Sequence, residues 1–152
     1  MIDPGNTRID LTVTIPVYNE LDNLLPLHQR TVAALGALGR SWELVLVDDG
    51  STDGSAERLD EIAAMDPSVT VIHLSRNCGQ TAALMAGLDV ARGDVIVPMD
   101  GDLQNDPSDI GKLLAKLDEG FDVVSGWRKD RKDHPIKRNL TSRVANTLIS
   151  RV

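Results

Sequence analysis

Val95-Ile96-Val97-Pro98-Met99-Asp100-Gly101-Asp102-Leu103-Gln104 is the stretch that decides the fold, because a β-branched apolar run leads directly into two carboxylates spaced two residues apart. In a chain still extended at that point, residues i and i+2 project to the same side, so Asp100 and Asp102 can converge on one cation. Carboxylate oxygens suit hard divalent ions such as Mg2+ or Mn2+, which proteins commonly bind through one or two carboxylates and share with substrate phosphates. Gly101 adds no side chain between them, so a ligand can approach the backbone closely. Taken alone, such a triplet in an acidic protein reads just as readily as a solvated turn. Its surroundings decide.

Working outward, Leu11-Thr12-Val13-Thr14-Ile15, Leu44-Val45-Leu46-Val47, Val69-Thr70-Val71-Ile72 and Val123-Val124 are further short runs of the kind buried in parallel sheets. Helical patterns lie between them. Asp106 precedes Pro107 at a first helical position, Ile110, Leu113, Leu114 and Leu117 follow at helical spacing, and Gly120 stops the run. Gly39 and Gly93 punctuate two other helices in the same way. The order is βαβαβαβαβ, which predicts an α/β fold: a doubly wound, mainly parallel sheet with right-handed crossovers and helices on both faces. Residues 1–10 read as a tail and 11–152 as one domain, with a change of composition at about residue 128.

In such a sheet ligands bind beyond the carboxyl ends of the strands. The unusual polar residues collect there: Tyr18-Asn19-Glu20 after the first strand, Asp48-Asp49-Gly50-Ser51 after the second, Ser75-Arg76-Asn77 after the third, Asp100-Gly101-Asp102 after the fourth and Gly126-Trp127-Arg128 after the fifth. Asp49, at a strand exit, is placed to contact ligand without supporting the core.

At 152 residues and 41% hydrophobic content the chain suits a globular domain with a real core. One cysteine, Cys78, excludes an internal disulfide and fits a reducing compartment. No signal pattern opens the chain, and no run approaches the roughly 18 apolar residues of a spanning helix, so this chain is expected to be soluble. The net charge of -7 is unevenly spread. Residues 1–127 hold 8 basic and 21 acidic residues, whereas residues 128–152 hold 8 basic and 2 acidic ones. A basic block of this kind is either a solvated surface or a site for an anionic partner such as a phosphate or lipid headgroup. The acidic remainder and the scarcity of aromatic residues argue against nucleic acid.

Neither G-x-G-x-x-G nor G-x-x-x-x-G-K-[ST] follows the first strand. Asp49 to Asp60 imitates a calcium loop with Gly54 at its sixth position, but a strand precedes it and Asp replaces the usual terminal Glu. Ser51, Thr52 and Asp53 read equally well as helix-capping residues. His28, His73 and His134 lack metal-ligand spacing to one another and receive no role.

Pro16-Val17-Tyr18-Asn19-Glu20, Val47-Asp48-Asp49-Gly50-Ser51-Thr52-Asp53-Gly54, Arg76-Asn77 with Gly79, and Asp100-Gly101-Asp102-Leu103-Gln104 together resemble the family 2 inverting glycosyltransferases of the GT-A fold. The likeness is greatest to the branch of dolichyl-phosphate mannose synthase and the bacterial undecaprenyl-phosphate sugar transferases. By that resemblance, Pro16, Tyr18, Glu20, Val47 and Asp49 hold the base and ribose of a nucleotide sugar. Asp100, Gly101 and Asp102 lie along the ribose, sugar and diphosphate, with Asp102, Gln104 and Asp100 around a Mg2+ or Mn2+ ion. Arg128 matches a diphosphate-contacting arginine, and Arg138 and Ser142 match an element that faces the acceptor phosphate. Pro16 also reads simply as a strand end, Arg76 as a surface ion pair and Tyr18 as core.

The resemblance implies sugar transfer, with inversion, from a nucleotide sugar to a polyprenyl phosphate at the cytoplasmic side of a membrane. A divalent ion bridging the phosphate oxygens stabilises the charge that develops on the departing nucleoside diphosphate. A sugar hydroxyl acceptor usually requires a general base, whereas a polyprenyl phosphate is already anionic and needs cations to position it. Two other readings stay open: transfer to a saccharide hydroxyl, and nucleotide-sugar binding without turnover. The helical pattern Val144, Leu148, Ile149 runs to Val152 without a stop signal, so the domain reads as C-terminally truncated. In the family the domain continues, adding membrane-associated helices in the polyprenyl branch.

Overall fold

A computed structural model describes residues 8–126 of the chain. Four strands and four helices alternate along it: β1 (Ile9–Val17), α1 (Leu21–Gly36), β2 (Trp42–Asp48), α2 (Ser55–Met65), β3 (Val69–His73), α3 (Gln80–Val90), β4 (Gly93–Pro98) and α4 (Ile110–Leu117). A single 3-10 turn, Pro107–Asp109, leads into α4, and the Asp106 side chain caps it by accepting from the Ser108 N–H. The chain divides into two units, Met1–Asp122 and Val123–Val152, and all eight elements belong to the first.

All three ladders are parallel and the spatial order is β3-β2-β1-β4. The chain thus builds outward from β1 through β2 to β3 and then returns to the other side of β1. That reversal lies between β1 and β4, the position at which an open α/β sheet forms a crevice at its carboxyl edge.

Strand parity sorts the core into two layers. Leu11, Val13, Ile15 and Val17 of β1, with Leu44 and Leu46 of β2, are buried against Leu24, Leu27 and Leu35 of α1, Leu59 and Ile62 of α2, and Ile110 and Leu114 of α4. The alternate residues Val45 and Val47 turn to the opposite face and pack on Ala83 of α3. Helices therefore cover both faces, as the doubly wound pattern predicts.

Three details differ from the sequence reading. The tail is shorter, because Ile9 pairs with Gly93 and the Asp10 carboxylate accepts from Ser41 N and Oγ; both residues belong to β1. Gly93 is no helix C-cap. It opens β4 where a Cβ would sit 2.4 Å from the Thr12 backbone nitrogen, so its missing side chain lets β4 approach β1. Val123-Val124 form no strand, and Val123 stands 83% exposed. Two β-branched residues are too short a run to commit a chain that lacks a ladder partner.

A buried carboxylate secures the end of the sheet where β4 begins. Glu43 of β2 is 3% exposed. It accepts from Thr12 Oγ1 at 2.8 Å, from the Arg92 N–H at 2.8 Å and from Arg92 Nε at 2.8 Å, while Gly93 N donates to Thr12 Oγ1 at 2.8 Å. Burial pulls its pKa upward, but the bonds from Arg92 and Thr12 outweigh that and leave it lowered.

Candidate functional site

The exits of β1 and β4, together with the start of α3, enclose a cleft of about 350 Å³. Its walls are Pro16, Val17, Tyr18 and Glu20 from β1 and its exit, Asp49 after β2, Asn77, Gly79 and Gln80 before and at the start of α3, and Asp100, Gly101 and Asp102 after β4. It lies at the reversal of strand order, where the topology opens a crevice without any help from side chains.

Two loops interlock beneath the β1 wall. Asn19 adopts a left-handed conformation, φ 54°. It donates its backbone N–H to Ser51 Oγ at 3.0 Å and accepts from the Thr52 N–H on its side-chain oxygen at 2.8 Å. Glu20 N donates to Ser55 Oγ, and Leu21 N donates to Asp53 Oδ2. Ser55 and Asp53 therefore satisfy the orphan N–H groups at the start of α1 from a neighbouring loop, and Asp53 also accepts from Ser55 N at the start of α2. Capping is thus the role of this segment, across two helices instead of one. Tyr18 projects from the same turn, 45% exposed on the cleft, so it is a wall residue and not core. Pro16 sits inside β1 opposite Val47 and does not end the strand.

The paired carboxylates Asp48 and Asp49 diverge, as neighbours in a strand must. Asp48 accepts from the Ser51 N–H and faces His73 Nδ1 at 3.1 Å, whose Nε2 lies 3.0 Å from Asp60. The two flanking carboxylates hold the His73 pKa above its usual value. Burial raises the Asp48 pKa, but the bonds from Ser51 and His73 prevail and leave it lowered. Asp49 is 3% exposed and accepts the N–H groups of Cys78 at 2.7 Å and Gly79 at 2.9 Å. It fixes the loop that carries Asn77, Gly79 and Gln80 into the cleft. The expectation that Asp49 contacts ligand without supporting structure therefore needs amending. The calcium-loop pattern dissolves as well, since Asp49, Asp53 and Asp60 each serve a different partner.

Val47 is fully buried against Ala83 and does not line the cleft. Arg76 is exposed, and its backbone passes so near Gly50 that a Cβ there would lie 2.4 Å from the Arg76 carbonyl carbon.

Asp100 and Asp102 both line the cleft and are exposed to it, but strand extension is not the cause. β4 ends at Pro98, and the chain bends through Gly101 and Leu103, the latter with φ 60° and its side chain packed on the core. Gly101 is buried. A Cβ there would lie 3.2 Å from the Pro16 carbonyl oxygen and 3.5 Å from Ile15 Cγ2, so the absent side chain lets the end of β1 pass close beside this wall of the cleft. Gln80 Nε2 donates to Asp100 Oδ1 at 2.7 Å, and the Gln104 N–H donates to Asp102 Oδ1 at 3.0 Å. Sequence reasoning gives Gln80 no role. The only signal was a side-chain amide directly after Gly79, at a helix start on the carboxyl edge.

Among the described residues no group of three or more His, Cys, Asp and Glu is placed to hold a metal ion. Two exposed carboxylates in one cleft are a different arrangement: an all-oxygen donor set, half complete, of the kind Mg2+ or Mn2+ occupies together with substrate phosphates. The residues fit such an ion on condition that the nucleotide supplies the remaining oxygens. Arg128, Arg131, Arg138 and Ser142 lie outside the described residues, and no helix among the described residues is long and apolar enough to cross a membrane.

Comparison with known proteins agrees with this geometry. The chain is 47% identical over 142 residues to an undecaprenyl-phosphate 4-deoxy-4-formamido-L-arabinose transferase of Salmonella paratyphi A, and 49% identical to the protein of the same description from Klebsiella pneumoniae. Each alignment covers 93% of this chain and 43% of the relative, so the chain spans less than half the length of these relatives. Among solved structures, the mannosyltransferase PcManGT from Pyrobaculum calidifontis, in complex with GDP-Man and Mn2+, is 29% identical with a TM-score of 0.51, over 63% of this chain and 28% of that one. TarS from S. aureus is 19% identical with a TM-score of 0.57, over 82% of this chain and 24% of that one, and shares the GT-A fold. The profile described as Glycosyl transferase family 2 matches residues 12–151, and the chain belongs to that family.

Proposed function

We propose that this chain is the nucleotide-sugar-binding portion of a divalent-metal-dependent glycosyltransferase that moves a sugar onto a polyprenyl phosphate with inversion. The observation that carries the reading is a single cleft at the reversal of strand order, with an aromatic face and carboxylates on one side, Tyr18, Glu20 and Asp49, and an oxygen pair on the other, Asp100 and Asp102. Tyr18 offers an apolar surface to a base, and Glu20 an acceptor for base or ribose hydroxyls. Pro16 shapes the floor between them. Asp100, Asp102 and Gln104 hold the Mg2+ or Mn2+ ion against the diphosphate, where it stabilises negative charge on the leaving group.

The acceptor half rests on sequence. The balance of charge reverses at residue 128, and the two relatives from Salmonella and Klebsiella carry undecaprenyl phosphate in their names. In this reading Arg128 contacts the diphosphate, while Arg131, Arg138 and Ser142 face an acceptor that is already anionic and needs no general base. The membrane surface follows from the lipid acceptor.

Calorimetric titration with GDP and UDP, in Mn2+ and in EDTA, tests the donor half. Affinity for one nucleotide should depend on the metal, and Asp102→Asn should lose most of that dependence; equal affinity in EDTA would refute it. For the acceptor half, Arg138→Ala should depress transfer to polyprenyl phosphate far more than donor binding. Unchanged transfer would leave the basic segment as solvated surface.

A further inference from the structure

Gln80 opens α3, and its side-chain amide donates to Asp100 Oδ1 at 2.7 Å. An ionised carboxylate only accepts, so Nε2 is the atom that faces it. Gln80 and Asp100, with Pro16, also line a second pocket of about 100 Å³ whose other walls are Leu84, Pro98, Met99 and Asn105. The bond therefore forms the partition between the small pocket and the main cleft, and it ties the first residue of α3 to the loop after β4.

Asp100 lies beyond the end of its strand, directly after the last backbone bond to β1, which runs from Met99 N to the Thr14 carbonyl. An exposed carboxylate on such a segment rotates freely unless something fixes it. A donor on Oδ1 stops that rotation and leaves Oδ2 as the oxygen available to the cleft. Resting on the metal reading of the cleft above, we propose that Gln80 is a positioning residue for the cation: it holds Asp100 as a one-oxygen ligand and keeps the carboxylate from turning into the small pocket. The anchor for Gln80 is in turn Asp49, which fixes the preceding residues Cys78 and Gly79. A chain of two carboxylates and one amide thus runs from β2 to the metal side of the cleft.

The test is Mn2+ titration of the full chain by electron paramagnetic resonance, in the presence of GDP and separately of UDP. Gln80→Met keeps the length and bulk of the side chain, and hence the partition, but removes the donor. Melting of each variant reports folding. Partners that orient a metal ligand typically change metal affinity by about 10- to 100-fold, and the lower end applies to an exposed bond. Mn2+ should bind the nucleotide complex of Gln80→Met about 10-fold more weakly and with an altered spectrum of the bound ion, a loss well beyond any change of nucleotide affinity in EDTA.

Wild-type Mn2+ affinity and spectrum in Gln80→Met would overturn the proposal. So would an equal loss of nucleotide affinity in EDTA, since that marks general damage to the cleft. Asp102→Asn separates the two levels. If it abolishes Mn2+ binding while Gln80→Met does not change it, only the role of Gln80 falls; if Asp102→Asn also binds Mn2+ normally, the metal reading falls and the proposal with it.

Discussion

Replacing Asp49 by alanine should unfold the chain at lower temperature and weaken nucleotide binding together. Both carboxylate oxygens accept backbone N–H groups, from Cys78 at 2.7 Å and Gly79 at 2.9 Å. Hydrogen bonds to a charged group contribute about 1.5–3 kcal/mol each. Cys78 is exposed and Gly79 half-buried, so water reaches the freed donors and the loss sits near the lower bound, about 3 kcal/mol for the pair. For a chain of this size that corresponds to a fall in Tm of about 6–12 °C. The loop released is the one that brings Asn77, Gly79 and Gln80 to the cleft, so GDP or UDP affinity should drop by about tenfold, which is about 1.4 kcal/mol. Thermal melting by circular dichroism and calorimetric titration of the same preparations measure both. Asp49→Asn, which keeps one acceptor, should fall between wild type and alanine. A Tm within about 2 °C of wild type in Asp49→Ala would refute the anchoring argument: with binding lost it would make Asp49 a ligand contact alone, and with binding kept a plain turn residue.

Three further outcomes follow from other contacts. Gly93→Ala places a Cβ 2.4 Å from Thr12 N, against backbone that cannot yield without moving β1, and should lower stability in urea by about 1–3 kcal/mol. Glu43 has a lowered pKa in the fold, so it adds stability that is complete above the usual carboxylate range and is lost as pH falls through its folded value; Glu43→Gln should flatten that acid limb of a pH-dependent urea titration. His73 has a raised pKa, so protonation stabilises the fold below about pH 6.5 and the gain disappears as pH rises through the folded value; His73→Ala should remove that difference between pH 6 and pH 8.

What the sequence makes legible is chemistry ordered by topology. Short β-branched apolar runs, buried continuously in β1 and β2, mark which residues form β1, β2, β3 and β4, and the chain direction of a parallel sheet then gathers every strand exit on one edge. Tyr18, Glu20, Asp49, Asp100 and Asp102 reach one cleft for that reason alone. The reading fails where one residue type has two meanings that only a distant partner resolves. Asp49 has the look of a ligand carboxylate, but its partners lie 29 and 30 residues away on the loop before α3. Gly93 has the look of a helix stop, yet it is small because β1 passes against it. Val47 sits in a motif that the family resemblance assigns to nucleotide binding, but parity turns its side chain to α3.

Asp100 and Asp102 reach one cleft by a route that strand alternation does not describe. The i, i+2 rule requires extended backbone, and β4 stops at Pro98. The chain instead turns at Leu103, whose left-handed backbone costs of order 1 kcal/mol or more and whose side chain is packed on the core. Strain of this kind, held by apolar burial beside two exposed carboxylates, has no period and no composition, so no pattern in the sequence announces it. It does make a distinct demand on mutants. Leu103→Gly relieves the backbone and removes the packing, whereas Leu103→Ala keeps the strain and removes only the packing. If the bend positions the carboxylates, Leu103→Ala should lose Mn2+-dependent nucleotide binding at least as severely as Leu103→Gly, measured by titration in Mn2+ and EDTA. The reverse order would place the control of the site in the backbone of Gly101, and not in the anchored leucine.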